Sequence, residues 1–156
     1  SNINGYEWAD AERHFMAYCK TQDISHVEEL IATLWRKRSW LKWKWRKNYN
    51  NDLRRDYNEY ATESRLSAIK KLPAAQKYAA ICFYMGCRNA FVKKWPAIFS
   101  GGEESKPNQY GWLAIYSAMA KYDPIKTMQF SKEPITLILS SLDMLDDEQI
   151  RIKNQK

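Results

Sequence analysis

The sequence predicts an all-α fold, namely a single-domain bundle of about six helices with an extended, tryptophan-rich basic insert after the second helix. Two observations favour helices. Apolar residues recur at helical spacing along most of the chain. Glycine and proline are sparse at five residues each, which leaves few of the turns that a β fold requires. A chain of 156 residues, of which 45% are hydrophobic, is also long enough to bury one core.

The first two helices are predicted from capping residues and from amphipathic spacing. Asp10 can cap a first helix of about ten residues. Ser25 and Glu28 have the spacing of a capping box, and the apolar residues that follow recur at intervals of three and four. These apolar residues are Val27, Leu30, Ile31, Leu34 and Trp35. We therefore expect a strongly amphipathic second helix.

The stretch 36–51 interrupts this helical period. Between Leu41 and Arg46 the chain alternates strictly, which favours an extended or strand-like insert over a helix. Leu41, Trp43 and Trp45 share one parity, whereas Lys42, Lys44 and Arg46 share the other. The indoles and the cations are therefore expected on opposite sides of the insert.

Two further helices are predicted on either side of Leu72-Pro73. Helical character returns at 52–71 and ends there, because a residue that precedes proline avoids helical angles. The next helix, 74–94, is hydrophobic nearly all round and is expected to be central and buried. The buried positions expected in the helix at 52–71 are Leu53, Tyr57, Tyr60, Leu66 and Ile69.

The loop 100–106 is the clearest linker of the chain, because it contains Ser100-Gly101-Gly102. The predicted single domain, 1–156, can accordingly consist of two packed halves, 1–99 and 107–156. Asp123-Pro124 is expected to cap and begin a short helix, and Ser131 with Pro134 to begin the last one. The apolar faces expected in this half are Trp112, Ile115, Tyr116 and Met119, and then Ile135, Ile138, Leu139, Leu142 and Leu145.

The excess positive charge of the chain lies entirely in the segment 35–49, which we call the basic aromatic segment. The chain has a net charge of +7, and this segment contains seven basic residues and no acidic residue. The other 18 Lys and Arg equal the 18 Asp and Glu in number. The candidate binding residues are Arg36, Lys37, Arg38, Trp40, Lys42, Trp43, Lys44, Trp45, Arg46 and Lys47.

Three interpretations of the basic aromatic segment compete. Cations and exposed aromatic rings can bind the phosphates and bases of single-stranded nucleic acid. The same residues suit an anionic membrane surface. In the third interpretation the indoles pack on the helical core, and the cations form a solvated face or meet a protein partner. The expected opposite placement of indoles and cations favours this third interpretation.

No catalytic, cofactor-binding or metal-binding constellation is predicted. The chain has none of the GxSxG, GxGxxG, P-loop or HExxH motifs. Cys82 and Cys87 lie five residues apart on an apolar helix, and Cys19 is distant in sequence, so all three are expected to be buried free thiols. His14 and His26 are expected at the surface. The acidic residues Asp143, Asp146, Asp147 and Glu148 are expected to form a solvated face or a docking patch, including one for a second copy of the chain.

The chain is expected to be cytoplasmic. It has no run of about 18 apolar residues that could span a bilayer. The sequence as given begins without the pattern of a signal peptide, and an odd number of cysteines, three, fits a reducing compartment.

The order of helices and dipeptides between residues 27 and 150 forms a distinct layout. In chain order its features are Tyr57-Asn58-Glu59, Arg65, Leu72-Pro73, Phe83-Tyr84, Phe91-Val92, Gly111-Trp112-Leu113, Asp123-Pro124 and Pro134. This layout resembles that of small helical proteins from the tail modules of bacteriophages and prophages, including tail assembly chaperones. The basic aromatic segment is a departure from it.

The resemblance implies a non-enzymatic cytoplasmic protein that coats or escorts an aggregation-prone tail component during assembly. The alternative is a nucleic-acid-binding accessory protein that uses the basic aromatic segment. An enzyme is the third and least favoured class.

Overall fold

The computed structural model describes residues 3–38, 54, 57–58, 60–99 and 111–154. Within these ranges the protein contains eight helices and no β-strand, and its bridges, Asn4 with Pro134 and Arg38 with Arg54, are isolated. The predicted all-α fold is confirmed. Residues 35–38 follow the second helix without helical structure, and the alternating stretch 41–46 lies outside the described residues.

The eight helices are numbered in chain order. They are α1 (Gly5–Thr21), α2 (Ile24–Leu34), α3 (Tyr60–Ile69), α4 (Ala74–Lys94), α5 (Pro96–Phe99), α6 (Trp112–Met119), α7 (Pro124–Lys132) and α8 (Ile135–Asn154).

The chain divides into two compact units, and the division falls inside α4. The N-terminal unit is Tyr6–Phe83, and the C-terminal unit is Tyr84–Lys156 together with Ile3–Gly5. The loop 100–106, which is the predicted junction of the two halves, is not where the units divide.

The starts of the first two helices differ from the prediction. Helix α1 already begins at Gly5, so Asp10 lies inside the helix and does not cap it. The predicted capping box at Ser25 is wrong, because Asp23 is the N-cap of α2 and its carboxylate accepts a hydrogen bond from the Ser25 N–H at 2.9 Å. Asp is as good a cap as Ser, and this one comes first in the chain.

The core of the N-terminal unit is built from α1, α2, α3 and the first part of α4. The residues Val27, Leu30, Ile31 and Leu34 of the predicted apolar face of α2 are buried as predicted, whereas Trp35 follows the helix and is 46% exposed. Helix α3 packs against α2 and begins only at Tyr60, because the side chain of Asn58 accepts the hydrogen bond of the Tyr60 N–H at 3.0 Å. Tyr60 is 82% exposed, so the prediction that it is buried is wrong, whereas Ile69 is buried as predicted.

Helix α4 is not buried all round, and that prediction is wrong. One face of the helix is buried, since Lys77, Ile81 and Tyr84 recur at helical spacing and are 2–8% exposed. Tyr78 and Phe83 lie on other faces and are more than half exposed. A high content of apolar residues does not by itself show that other elements cover a helix on every side.

The C-terminal unit is organised by α6, α7 and α8. The predicted cap at Asp123 is confirmed, because its carboxylate accepts from the N–H groups of Ile125 and Lys126, and Pro124 occupies the first turn of α7. Ser131 does not begin the last helix, since it lies buried within α7 and its hydroxyl donates to the carbonyl of Met128.

Gly5 is tightly packed within the C-terminal unit. Its carbonyl accepts a 2.9 Å hydrogen bond from the buried hydroxyl of Tyr116, and its N–H donates to the carbonyl of Glu133 at 3.0 Å. Ile135, Ile138 and Leu139 of the predicted α8 stripe are at most 1% exposed, but Leu145 is 46% exposed. The stripe is therefore buried only in the first half of α8.

Candidate functional site

The first cation of the basic aromatic segment, Arg36, forms a buried ion pair. Its guanidinium donates two hydrogen bonds to the carboxylate of Glu7, at 2.7 and 2.8 Å. The two side chains are only 3% and 0% exposed. Arg54 adds a third hydrogen bond to the same carboxylate, at 3.1 Å, and another to the carbonyl of Leu34. The charge of Arg36 is therefore balanced by an internal acid.

The next two cations of the segment lie at the surface. Lys37 and Arg38 are both exposed, and the backbone of Arg38 forms the isolated bridge with Arg54. The remaining candidate binding residues, Trp40, Lys42, Trp43, Lys44, Trp45, Arg46 and Lys47, lie outside the described residues.

An apolar groove of about 820 Å³ opens between α2, α3 and α4 of the N-terminal unit. Trp35 and Phe83 line it, with their rings in an edge-to-face arrangement and their centroids 6.4 Å apart. Trp35 is 46% exposed and Phe83 is 64% exposed. The aliphatic and small residues of the lining are Ile31, Ala61, Ala68, Ile69, Leu72, Ala79 and Ala80.

The charged residues that line the groove are both cations, and the other polar residues of the lining, Asn58, Ser64 and Gln76, are neutral. Lys37 and Arg65 contribute positive charges, and no acid is among the described residues that line the groove. Arg65 is held in place, because its Nε donates to the carbonyl of Ala32 at 2.8 Å and its Nη2 donates to Thr62 at 3.1 Å. The pKa of Arg65 is lowered from its ordinary value, mainly by partial burial and to a lesser extent by the nearby charge of Arg36. An arginine nevertheless stays protonated at neutral pH.

A second cluster of polar side chains joins α1 to α2. The Nδ1 atoms of His14 and His26 lie 2.8 and 3.3 Å from the same carboxylate oxygen of Glu29. Burial lowers the pKa of His14 below its ordinary value, and the charge of Glu29 opposes this shift. The side chain of His14 is only 14% exposed, so the expectation of a surface residue is wrong for this histidine.

The three cysteines are exposed, and the prediction that they are buried is wrong. Cys82 and Cys87 lie on the parts of α4 that no described element covers. Asp146, Asp147 and Glu148 are exposed on α8, as predicted, whereas Asp143 is partly buried. Among the described residues, His14, His26 and Glu29 form the one group with the spacing of a metal site.

Comparison of the chain with protein-family models, with curated proteins and with solved structures gave no match. The resemblance to phage tail-module proteins therefore stays a prediction. None of the described helices is both long enough and apolar enough to cross a membrane.

Proposed function

We propose that this chain is a non-enzymatic protein-binding module of the chaperone-like type, and that it assists the assembly of a phage or prophage tail in the cytoplasm. The observation that carries the proposal is the open apolar groove between α2, α3 and α4. An assembly factor of this kind needs such a contact surface and needs no catalytic group.

The size and shape of the groove suit a helix or a short apolar segment of another protein. A volume of about 820 Å³ is within the usual range of binding pockets, and grooves between helices commonly receive the apolar face of an amphipathic helix. Trp35 and Phe83 offer two partly exposed rings at this surface, and aromatic residues contribute strongly to protein interfaces.

The charges of the groove lining indicate that the partner is acidic. Because Lys37 and Arg65 lie in the groove without an acid beside them in the lining, the favoured occupant carries acidic residues next to its apolar face. The positive net charge of the chain acts in the same direction by attracting acidic partners over longer distances. We therefore propose an amphipathic, acidic helix of a tail protein as the occupant.

A pair of peptides tests this assignment. One helical peptide carries leucine on one face and glutamate on the other, and the second has lysine in place of each glutamate. Fluorescence anisotropy at low salt should show binding of the glutamate peptide only. Phe83→Ala should weaken that binding by about tenfold or more, as expected for an aromatic residue that contacts the partner at an interface. Tyr122→Ala is the matched control, because Tyr122 is 79% exposed and lies in the C-terminal unit.

The alternative, a nucleic-acid-binding accessory protein, is an outcome of the same assay. A labelled single-stranded oligonucleotide that binds tightly at low salt and weakens steeply as salt rises would favour it, provided that neither peptide binds. The assembly role is tested by co-expression with a tail-tube or tape-measure protein encoded by a neighbouring gene. If that protein stays insoluble with this chain present, the chaperone-like role is wrong.

A further inference from the structure

A histidine–histidine–glutamate cluster links the first two helices. His14 projects from α1, and His26 and Glu29 lie three positions apart on α2, where side chains at this spacing share one face. The turn between the helices is fixed at both ends. Gln22 adopts a φ of 57° and donates its N–H to the carbonyl of Tyr18, and Asp23 caps α2. The cluster is therefore set by the backbone of a two-helix unit.

The geometry points to a site for a divalent transition metal ion at these three residues. We propose that His14, His26 and Glu29 bind Zn²⁺ or an ion of similar chemistry through two imidazoles and one carboxylate. One ligand atom from each residue lies within 4.8 Å of the other two. Ligand atoms around a tetrahedral zinc ion are about 3.4 Å apart, given metal–ligand bonds of about 2.1 Å. Small rotations of the side chains thus suffice to bring the three ligand atoms to the distances that a zinc ion requires.

The ligand types decide the class of metal. Two imidazole nitrogens and one carboxylate suit zinc, copper, nickel or iron, whereas magnesium and calcium prefer oxygen ligands alone. Three protein ligands also leave a coordination position for water or for a group of another molecule.

The surroundings of the cluster allow an ion to enter. The side chains of His14, His26 and Glu29 are 14%, 29% and 36% exposed, so the site is reachable from solvent without being fully open. The nearby cation Arg13 is paired with Asp10 at 2.9 Å, which reduces its repulsion of a metal ion. A bound ion would connect α1 to α2 and would stabilise the native state in proportion to its concentration.

The test uses the full chain with all three cysteines replaced by serine, because exposed thiols bind zinc on their own. In isothermal titration calorimetry this protein should bind one Zn²⁺ with a Kd below about 100 µM. His14→Asn, His26→Asn and Glu29→Gln should each weaken binding by at least about tenfold, a loss typical of a disturbed metal site. Asp147→Asn, in the exposed acidic group of α8, is the matched control and should leave the Kd unchanged.

A second measurement is independent of the variants and of their folding. The chain contains only two histidines, so the ring protons of both can be followed by NMR. Substoichiometric Cu²⁺ should broaden the signals of both histidines together and leave most other signals sharp. The proposal is overturned by a Kd above the stated limit, by a smaller loss in any of the three variants, or by broadening of only one histidine.

Discussion

Arg36 donates two hydrogen bonds to Glu7 across 29 positions of sequence, and both side chains are almost completely removed from solvent. The desolvation of two charges offsets much of the attraction between them, so such a pair adds little net stability. Removing only one partner, however, destabilises the protein strongly. Arg54 approaches the same carboxylate but is 26% exposed, so it can return to water if the carboxylate is lost. The two members of the buried pair are therefore not equivalent.

We expect Glu7→Gln and Arg36→Met each to lower the free energy of unfolding by about 3–5 kcal/mol, because each removes one partner of a buried ion pair. The loss should be larger for Glu7→Gln, since Glu7 keeps Arg54 when Arg36 is removed. The double variant should lose less than the sum of the single losses. Urea titrations followed by circular dichroism measure all three.

The control for this prediction is a surface ion pair on the same helix. Arg13 pairs with Asp10 at 2.9 Å but is 69% exposed, so Arg13→Met should cost less than about 1 kcal/mol. Additive losses in the double variant would show that Glu7 and Arg36 do not depend on each other.

Gly5→Ala and Gly86→Ala are expected to change stability in opposite directions. A Cβ at Gly5 would lie 2.8 Å from Cδ1 of the buried Ile138 and 3.1 Å from the carbonyl oxygen of Ser131, so the substitution should cost about 1–3 kcal/mol. A Cβ at Gly86 meets nothing within 4 Å, and this exposed interior position of α4 should gain about 0.5–1 kcal/mol from alanine.

Thermal unfolding of the two variants beside the parent protein checks this pair. The expected midpoints are lower for Gly5→Ala and higher for Gly86→Ala. An unchanged midpoint for Gly5→Ala would mean that residue 5 is not packed against Ile138 as observed.

The fold was predictable from the sequence where its causes are local. Asp123-Pro124 combines a capping carboxylate with a fixed φ angle, and both act within one turn of helix, so the start of α7 was predicted correctly. The apolar spacing of α2 likewise reports directly on its buried face.

The buried ion pairs and the candidate sites depend on partners that are distant in sequence, and so sequence reasoning did not find them. Glu28 has the spacing of a capping box, yet its carboxylate accepts a 2.7 Å hydrogen bond from Lys77, 49 positions away. The groove owes its space to alanines of α3 and α4, which look like ordinary helix residues in sequence. The spacing of His26 and Glu29 was the one local signal of the histidine cluster, but it indicates nothing until α1 places His14 beside it.

All three cysteines should react with a thiol reagent in the native protein, because Cys19, Cys82 and Cys87 are exposed. The sequence analysis predicted buried thiols, which would react slowly in the native protein, whereas the structure predicts fast reaction of all three. The rate of reaction with Ellman's reagent, compared between native and urea-unfolded protein, distinguishes them. Fewer than three fast thiols in the native state would contradict the exposed faces of α4 and α1.

A substitution that fills the groove should weaken peptide binding while it changes the stability of the protein only slightly. Ala80 lines the groove and is partly buried, so the ring of Ala80→Phe should occupy the space that a partner would use. We expect binding of the glutamate peptide to fall by about tenfold or more, while the free energy of unfolding changes by less than about 1.5 kcal/mol. Ala75→Phe is the matched control, because Ala75 is exposed on the same helix and does not line the groove. If both variants bind the peptide as the parent protein does, the peptide binds elsewhere, and the groove is not the site of the proposed function.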